Sequence, residues 1–169
     1  MTVLRVDKNP NARTMAVTAE FDAPVDSVWQ LWANPRLLER WWGPPDFPTT
    51  VQHHDLTPGG KVTYVMASPE GDKVPGDWNI VEVDAPRWLV IEDADVDEDG
   101  MPNDGNDVTR MEIAIAAEGD KTRMVVTSFF ASTVGMEHVL ASGFEDGMQQ
   151  VIAGIDALLA ELHLARSLE

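Results

Sequence analysis

The sequence contains no cysteine, so disulfides, thiolate nucleophiles and thiolate-ligated metal centres are all excluded. That absence fits a reducing compartment, and a cytoplasmic location is expected. Basic residues are scarce: 12 Lys and Arg stand against 29 Asp and Glu, for a net charge of −17 over 169 residues. Such a surface repels phosphate backbones, and the few cations are scattered, so no nucleic-acid partner is expected. Long hydrophobic runs are missing too. No stretch approaches the ~20 apolar residues of a membrane span, and Met1 to Lys8 lacks the apolar core of a signal peptide. Membrane insertion is therefore not expected. No Gly-x-Ser-x-Gly elbow occurs, and Ser27, Ser68, Ser132 and Ser142 stand in no recognisable motif, which leaves nucleophilic catalysis without support.

Metal-ligand patterns are incomplete. In His53-His54-Asp55, adjacent strand residues point to opposite faces, so the two histidines cannot share an ion, although either one could face the interior as a proton donor or acceptor. A zinc site also needs three or four ligands, which this triplet does not supply. Asp95 to Gly100 has the opening pattern of a calcium loop, but Asn106 stands where the loop needs a bidentate Glu, and strands rather than helices are expected on either side. No metal and no cofactor is expected.

What the chain does have is tryptophan, four of its six within the fourteen residues from Trp29 to Trp42. Val25, Val28, Trp29 and Trp32 follow helical i, i+3, i+4, i+7 spacing. Asn34 then offers an N-cap and Pro35 a first helical position, so a second short helix carries Leu37, Leu38 and Trp41 until Gly43-Pro44-Pro45 stops it. Before this pair, Met15 to Phe21 alternates as a first strand. After it the period is two, with six strands expected at Thr49 to Leu56, Lys61 to Met66, Asp77 to Val83, Trp88 to Glu92, Val108 to Ala116 and Arg123 to Phe130. Turn formers separate them, and short links imply an antiparallel meander. Asp93 to Asp107 reads as a solvated loop, and Met136 to Ala141 as a short helical turn. Phe144, Met148, Ile152, Ile155, Leu159 and Leu162 form the stripe of a long final helix, where Gly147 and Gly154 share a face suited to close approach by a neighbour.

The expected fold is α+β: a strand, two short helices, a six-stranded antiparallel meander, and a long C-terminal helix packed across the curved sheet over an internal cavity. Residues 14–163 read as one domain, with an N-terminal extension at 1–13 and a tail at 164–169.

This order and its local sequence resemble the helix-grip superfamily of START-like and pollen-allergen-like domains, SRPBCC. Within it, the chain resembles the branch named after the activator of heat-shock-protein-90 ATPase, specifically that protein's C-terminal domain. The matching residues are Phe21-Asp-Ala-Pro24 with Val28-Trp29, then Pro35, Trp41-Trp42-Gly43-Pro44 and Asp55-Leu-Thr-Pro-Gly-Gly60. Glu82-Val-Asp-Ala-Pro86 with Leu89, Gly119-Asp-Lys-Thr-Arg123 and Gly143-Phe144 continue the series, so the resemblance spans roughly residues 14 to 162. It implies the helix-grip fold and leaves the chemistry open, since the superfamily includes lipid and hormone carriers as well as polyketide cyclases and aromatases. The eponymous co-chaperone has a separate N-terminal domain not found in this sequence, so chaperone activation is not carried over.

The expected site is the volume between sheet and final helix. Strand alternation sends Tyr64, Met66, Trp78, Ile80, Met111, Ile113, Ser128 and Phe130 inward. Phe144, Met148 and Ile152 close the other side, with Trp41, Trp42 and Phe47 at one mouth. Methionines and aromatics suit an irregular apolar ligand. The expected function is therefore binding of a small hydrophobic or aromatic molecule. Alternatives are a cyclase-like enzyme drawing on Tyr64, Glu82, His53 or Ser128, and a chaperone-linked interaction module presenting Trp41 and Trp42. A homodimer is compatible with the sequence but not required by it.

Overall fold

Turn formers cut the alternating stretch into hairpins. The computed structural model describes residues 3–43, 46–93, 108–141 and 143–167. Its strands are β1 (Val3–Asn9), β2 (Thr14–Phe21), β3 (Thr49–His54), β4 (Lys61–Ala67), β5 (Lys73–Asp84), β6 (Trp88–Asp93), β7 (Val108–Glu118) and β8 (Lys121–Phe130). They form one antiparallel sheet in the order β1-β2-β8-β7-β6-β5-β4-β3. The six-strand meander runs from β3 to β8, and β2 returns beside β8 to extend it. Helices α1 (Val25–Ala33) and α2 (Pro35–Trp41) connect β2 to the far edge, α1 against β7 and α2 against β3. Helices α3 (Thr133–Ala141) and α4 (Phe144–Ser167) follow the last strand.

The structure adds one element and corrects two expectations. Val3–Asn9, within the stretch expected as an N-terminal extension, is an edge strand, paired from Arg5 with Thr18 to Asn9 with Thr14. With Arg5, Asp7 and Lys8 in a seven-residue segment, its strand character comes from the partner it pairs with rather than from its own pattern. The short turn expected at Met136 to Ala141 is a helix of nine residues, started by the Ser132 hydroxyl accepting from the Gly135 N–H at 2.9 Å. Gly147 and Gly154 meet no neighbour: a Cβ on either would have no atom within 4 Å among the described residues, so neither serves a close approach.

The sheet's inner face carries most of the core. Met15, Val17, Ala19 and Phe21 of β2 line up beside Met124, Val126, Ser128 and Phe130 of β8 and Met111, Ile113 and Ile115 of β7, all buried. The helical stripe covers them from above, with Met148, Val151, Ile152, Ile155, Leu158 and Leu159 buried. Charged pairs fix the long helix at both ends: Lys8 of β1 holds Glu145 at 2.7 Å, and Arg40 of α2 holds Glu161 at 2.5 Å. Exposed pairs of this kind contribute little individually, so the buried stripe carries most of the attachment of α4.

Candidate functional site

The tryptophan helices are built as their local sequence dictates. The Asn34 side chain accepts from the Arg36 N–H at 3.0 Å, and Pro35 occupies the first turn, where its missing N–H costs nothing. Helix α2 ends at Trp41. Trp42 is extended, and Gly43 takes φ +97°, a conformation that side chains disfavour. A Cβ at Gly43 would also stand 2.8 Å from the Thr49 hydroxyl and 2.9 Å from the Phe47 carbonyl, so glycine is required twice over. The Thr49 hydroxyl donates to the Trp42 carbonyl at 2.6 Å and locks the corner to β3.

Five aromatic rings converge there. Trp42 lies edge-on to Trp78 at 5.0 Å and to Tyr64 at 6.4 Å, while Tyr64 meets Trp78 at 5.3 Å. On its other side Trp42 meets Trp41 at 5.5 Å and Trp32 at 6.0 Å. Edge-to-face geometry is the favoured arrangement of aromatic quadrupoles. Tyr64 reaches its place because Gly76, opposite it on β5, has no side chain: a Cβ there would fall 2.0 Å from the ring.

The indole N–H groups separate these tryptophans by role. Trp32 donates to the Met124 sulfur at 3.4 Å and Trp41 to the Leu31 carbonyl at 2.8 Å. Both are buried and fully engaged in seating the helices. Trp42 Nε1 is buried with no hydrogen-bond partner among the described residues. Ser128 Oγ is in the same condition on the inner face of β8, in a residue with 0% exposure, between Met15 of β2 and Met111 of β7.

The other expected lining residues take these places. Trp78, Ile80, Met111, Ile113, Phe130, Met148 and Ile152 are buried, and Tyr64, Met66 and Phe47 are half-buried. The end of the Met66 side chain lies against Gly43. The Phe144 side chain lies outside the described residues, as does the acidic segment 94–107 with its calcium-like pattern.

Of the two histidines, His53 is exposed and His54 half-buried. A bulge after Val51 shifts the register so that His53 pairs with Thr63. His54 Nε2 donates to the Trp32 carbonyl at 3.0 Å, tying β3 to the end of α1. Among the described residues no group of three His, Asp or Glu side chains could hold a metal ion. No described helix is long and apolar enough to cross a membrane.

Sequence reasoning missed the brace on the sheet edge. Val51 on β3 donates its N–H to Glu39 at 2.7 Å and accepts from Arg36 at 3.3 Å, while Arg36 and Glu39 pair with each other at 3.1 Å. Two side chains of α2 thus take the place of a neighbouring strand. The only available signal was the i, i+3 spacing of opposite charges in α2, which also describes many solvated helix faces.

A model of the family described as Activator of Hsp90 ATPase homolog 1-like protein matches residues 22–160. No curated protein matches the chain. Among solved structures, a protein from Arthrobacter aurescens is 42% identical with a TM-score of 0.86, over 95% of this chain and 93% of that one. A protein from Mycobacterium smegmatis is 40% identical with a TM-score of 0.82, over 95% of this chain and 99% of that one. The protein described as AHSA1-like from Aeromonas hydrophila shares the fold at 22% identity and a TM-score of 0.63, over 85% and 94% of the two chains.

Proposed function

The chain belongs to the Activator of Hsp90 ATPase homolog 1-like family, and on that premise we propose that it binds a small hydrophobic or aromatic molecule between the inner face of its sheet and α4. One observation carries the reading. In an interior of aliphatic, methionine and aromatic side chains, the Ser128 hydroxyl and the Trp42 indole N–H are buried without partners among the described residues. An unmade hydrogen bond of this kind costs about 1–3 kcal/mol, and folded proteins leave few buried polar groups without a partner from the protein, an internal water or a bound molecule. A bound molecule with polar atoms would remove both costs.

The remaining lining supports the same reading. Trp42, Trp78 and Tyr64 present large, weakly polar surfaces, and Met66, Met111 and Met148 adapt to irregular shapes. An enzyme of the cyclase type would need a titratable group in the interior to move a proton. Among the described residues the buried polar side chains are Thr18, Thr49, Thr122 and Ser128, none titratable in the useful range. Glu82 and His53 are exposed, and Tyr64 alone of the named candidates is both titratable and inward. An interaction module displaying Trp41 and Trp42 is disfavoured by the burial of Trp41 and the half-burial of Trp42.

Binding is tested by titrating a panel of lipids, polyketides and aromatic compounds while following tryptophan fluorescence and melting temperature. At least one class should quench the fluorescence and raise the melting temperature, with Trp78→Ala weakening both. A silent panel, in the wild type and the variant alike, would overturn the reading.

A further inference from the structure

The two unpartnered polar groups differ in chemistry and lie apart. Trp42 Nε1 can only donate, whereas the Ser128 hydroxyl both donates and accepts. Ser128 is on β8 and Trp78, the ring packed against Trp42, is on β5, three strands away in the sheet. At the usual strand spacing that is about 14 Å along the sheet. The row that pairs with Ser128 runs through Met111 of β7 and Ile91 of β6 to Ile80 of β5, all apolar and buried, and Trp78 stands two residues further along β5. We propose that the ligand is recognised at two points: a flat apolar body with an oxygen at each end, one accepting from the Trp42 indole and the other exchanging a hydrogen bond with Ser128. Two-point recognition rests on the interior-binding reading and narrows it to a class of molecule.

The two groups differ in what they tolerate from a hydrocarbon and from its oxygenated analogues. A pure hydrocarbon would leave both groups buried and unpaired, and so would forfeit affinity that an oxygenated analogue gains. An oxygenated ligand with its polar groups at the same end could satisfy only one of them. The placement of oxygens therefore decides affinity, while the hydrophobic area of the ligand stays constant.

Four rigid probes separate these cases: naphthalene, 2-naphthol, 2,3-dihydroxynaphthalene and 2,6-dihydroxynaphthalene. Binding is followed by calorimetry and by the Trp42 indole N–H resonance, assigned by its loss in Trp42→Phe. The 2,6-isomer should bind about fivefold more tightly than the 2,3-isomer, the gain from one added hydrogen bond. Ser128→Ala, a change that removes the unpaired hydroxyl without enlarging the side chain, should abolish that preference. Every hydroxylated probe should move the Trp42 indole resonance downfield, and naphthalene should not. Equal affinities for the two isomers in wild type and Ser128→Ala would overturn two-point recognition while leaving interior binding intact. Two-point recognition fails equally if the indole resonance ignores the hydroxyls, since the N–H is then donating to a neighbouring ring face. If none of the four probes binds, two-point recognition of a flat aromatic body fails, and interior binding is then decided by the broader panel of lipids, polyketides and aromatic compounds.

Discussion

Gly76 shows how one absent side chain sets the shape of the site. The Tyr64 ring occupies the place of a Cβ, with three of its atoms 2.0, 2.4 and 2.5 Å from where that carbon would stand. The ring cannot simply swing away, because Trp42 and Trp78 lie edge-on to it. Gly76→Ala should therefore destabilise the protein by about 1–3 kcal/mol, the usual cost of overpacking a core, as read from denaturant midpoints. Adding Tyr64→Leu should recover part of the loss, because the clash is with the ring. If Gly76→Ala is neutral and the double variant is no better, Tyr64 does not hold this position in solution. None of this was legible in the sequence, where Gly76 is one glycine among 12 and its partner Tyr64 is set by strand register. Ser128 was more readable, because strict alternation from Met124 to Phe130 puts it on the inner face. That its hydroxyl finds no partner depends on what stands around it in three dimensions, which no local pattern encodes.

Elements were readable in proportion to how strongly burial patterned them. The meander and the stripe of α4 have one buried face each, so period two and period 3.6 are written into their residues. The Asn34 cap and the Pro35 start of α2 follow from local hydrogen-bonding chemistry and were equally plain. Edge features were not. Strand β1 is defined by pairing with the neighbouring β2, and the α2 side chains that cover Val51 by a residue 12 to 15 positions further on, neither of which shows as a period within the segment itself. The brace yields a prediction at this scale. Glu39→Ala leaves the Val51 N–H without its acceptor in a half-buried place and should cost about 1–3 kcal/mol, with faster amide exchange at Val51. Arg36→Ala should cost less, since its guanidinium is 69% exposed and water can replace it at the Val51 carbonyl. Equal costs, or unchanged exchange at Val51, would mean that the edge is held by β4 alone.

At the scale of the whole molecule, charge is the term that packing does not balance. Among the described residues, Arg5, Lys8, Arg36, Arg40, Lys61, Arg87, Arg110 and Arg123 each lie within 4.0 Å of a carboxylate, so at least eight of the 12 basic residues are already paired. The net charge of −17 is thus carried by acids that outnumber the cations available to them, and their mutual repulsion opposes the compact state. Asp156 on α4 is a local instance. Burial raises its pKa above the ordinary aspartate value of 3.8, only partly offset by nearby positive charge including Lys121. Because the folded state holds that proton more tightly than the unfolded chain, the group disfavours folding once pH rises through its folded pKa; below 3.8 both states are protonated and the penalty vanishes. Asp156→Asn should therefore raise the melting temperature at pH 7 and leave it unchanged well below the ordinary aspartate range. Glu137→Gln on α3, an exposed site, removes the same charge without the burial and is the control for net charge. Raising salt from about 10 mM to 150 mM shortens the screening length from roughly 30 to 8 Å. It should stabilise the wild type by roughly 2–4 °C, the response of a chain this size to about 1 kcal/mol. The increment from Asp156→Asn over Glu137→Gln should survive that salt, because a desolvation penalty is a property of the site and is not screened as surface repulsion is. An increment that disappears with salt would assign the Asp156 effect to long-range repulsion. A melting temperature that falls with salt would mean instead that the eight paired cations outweigh the unpaired acids.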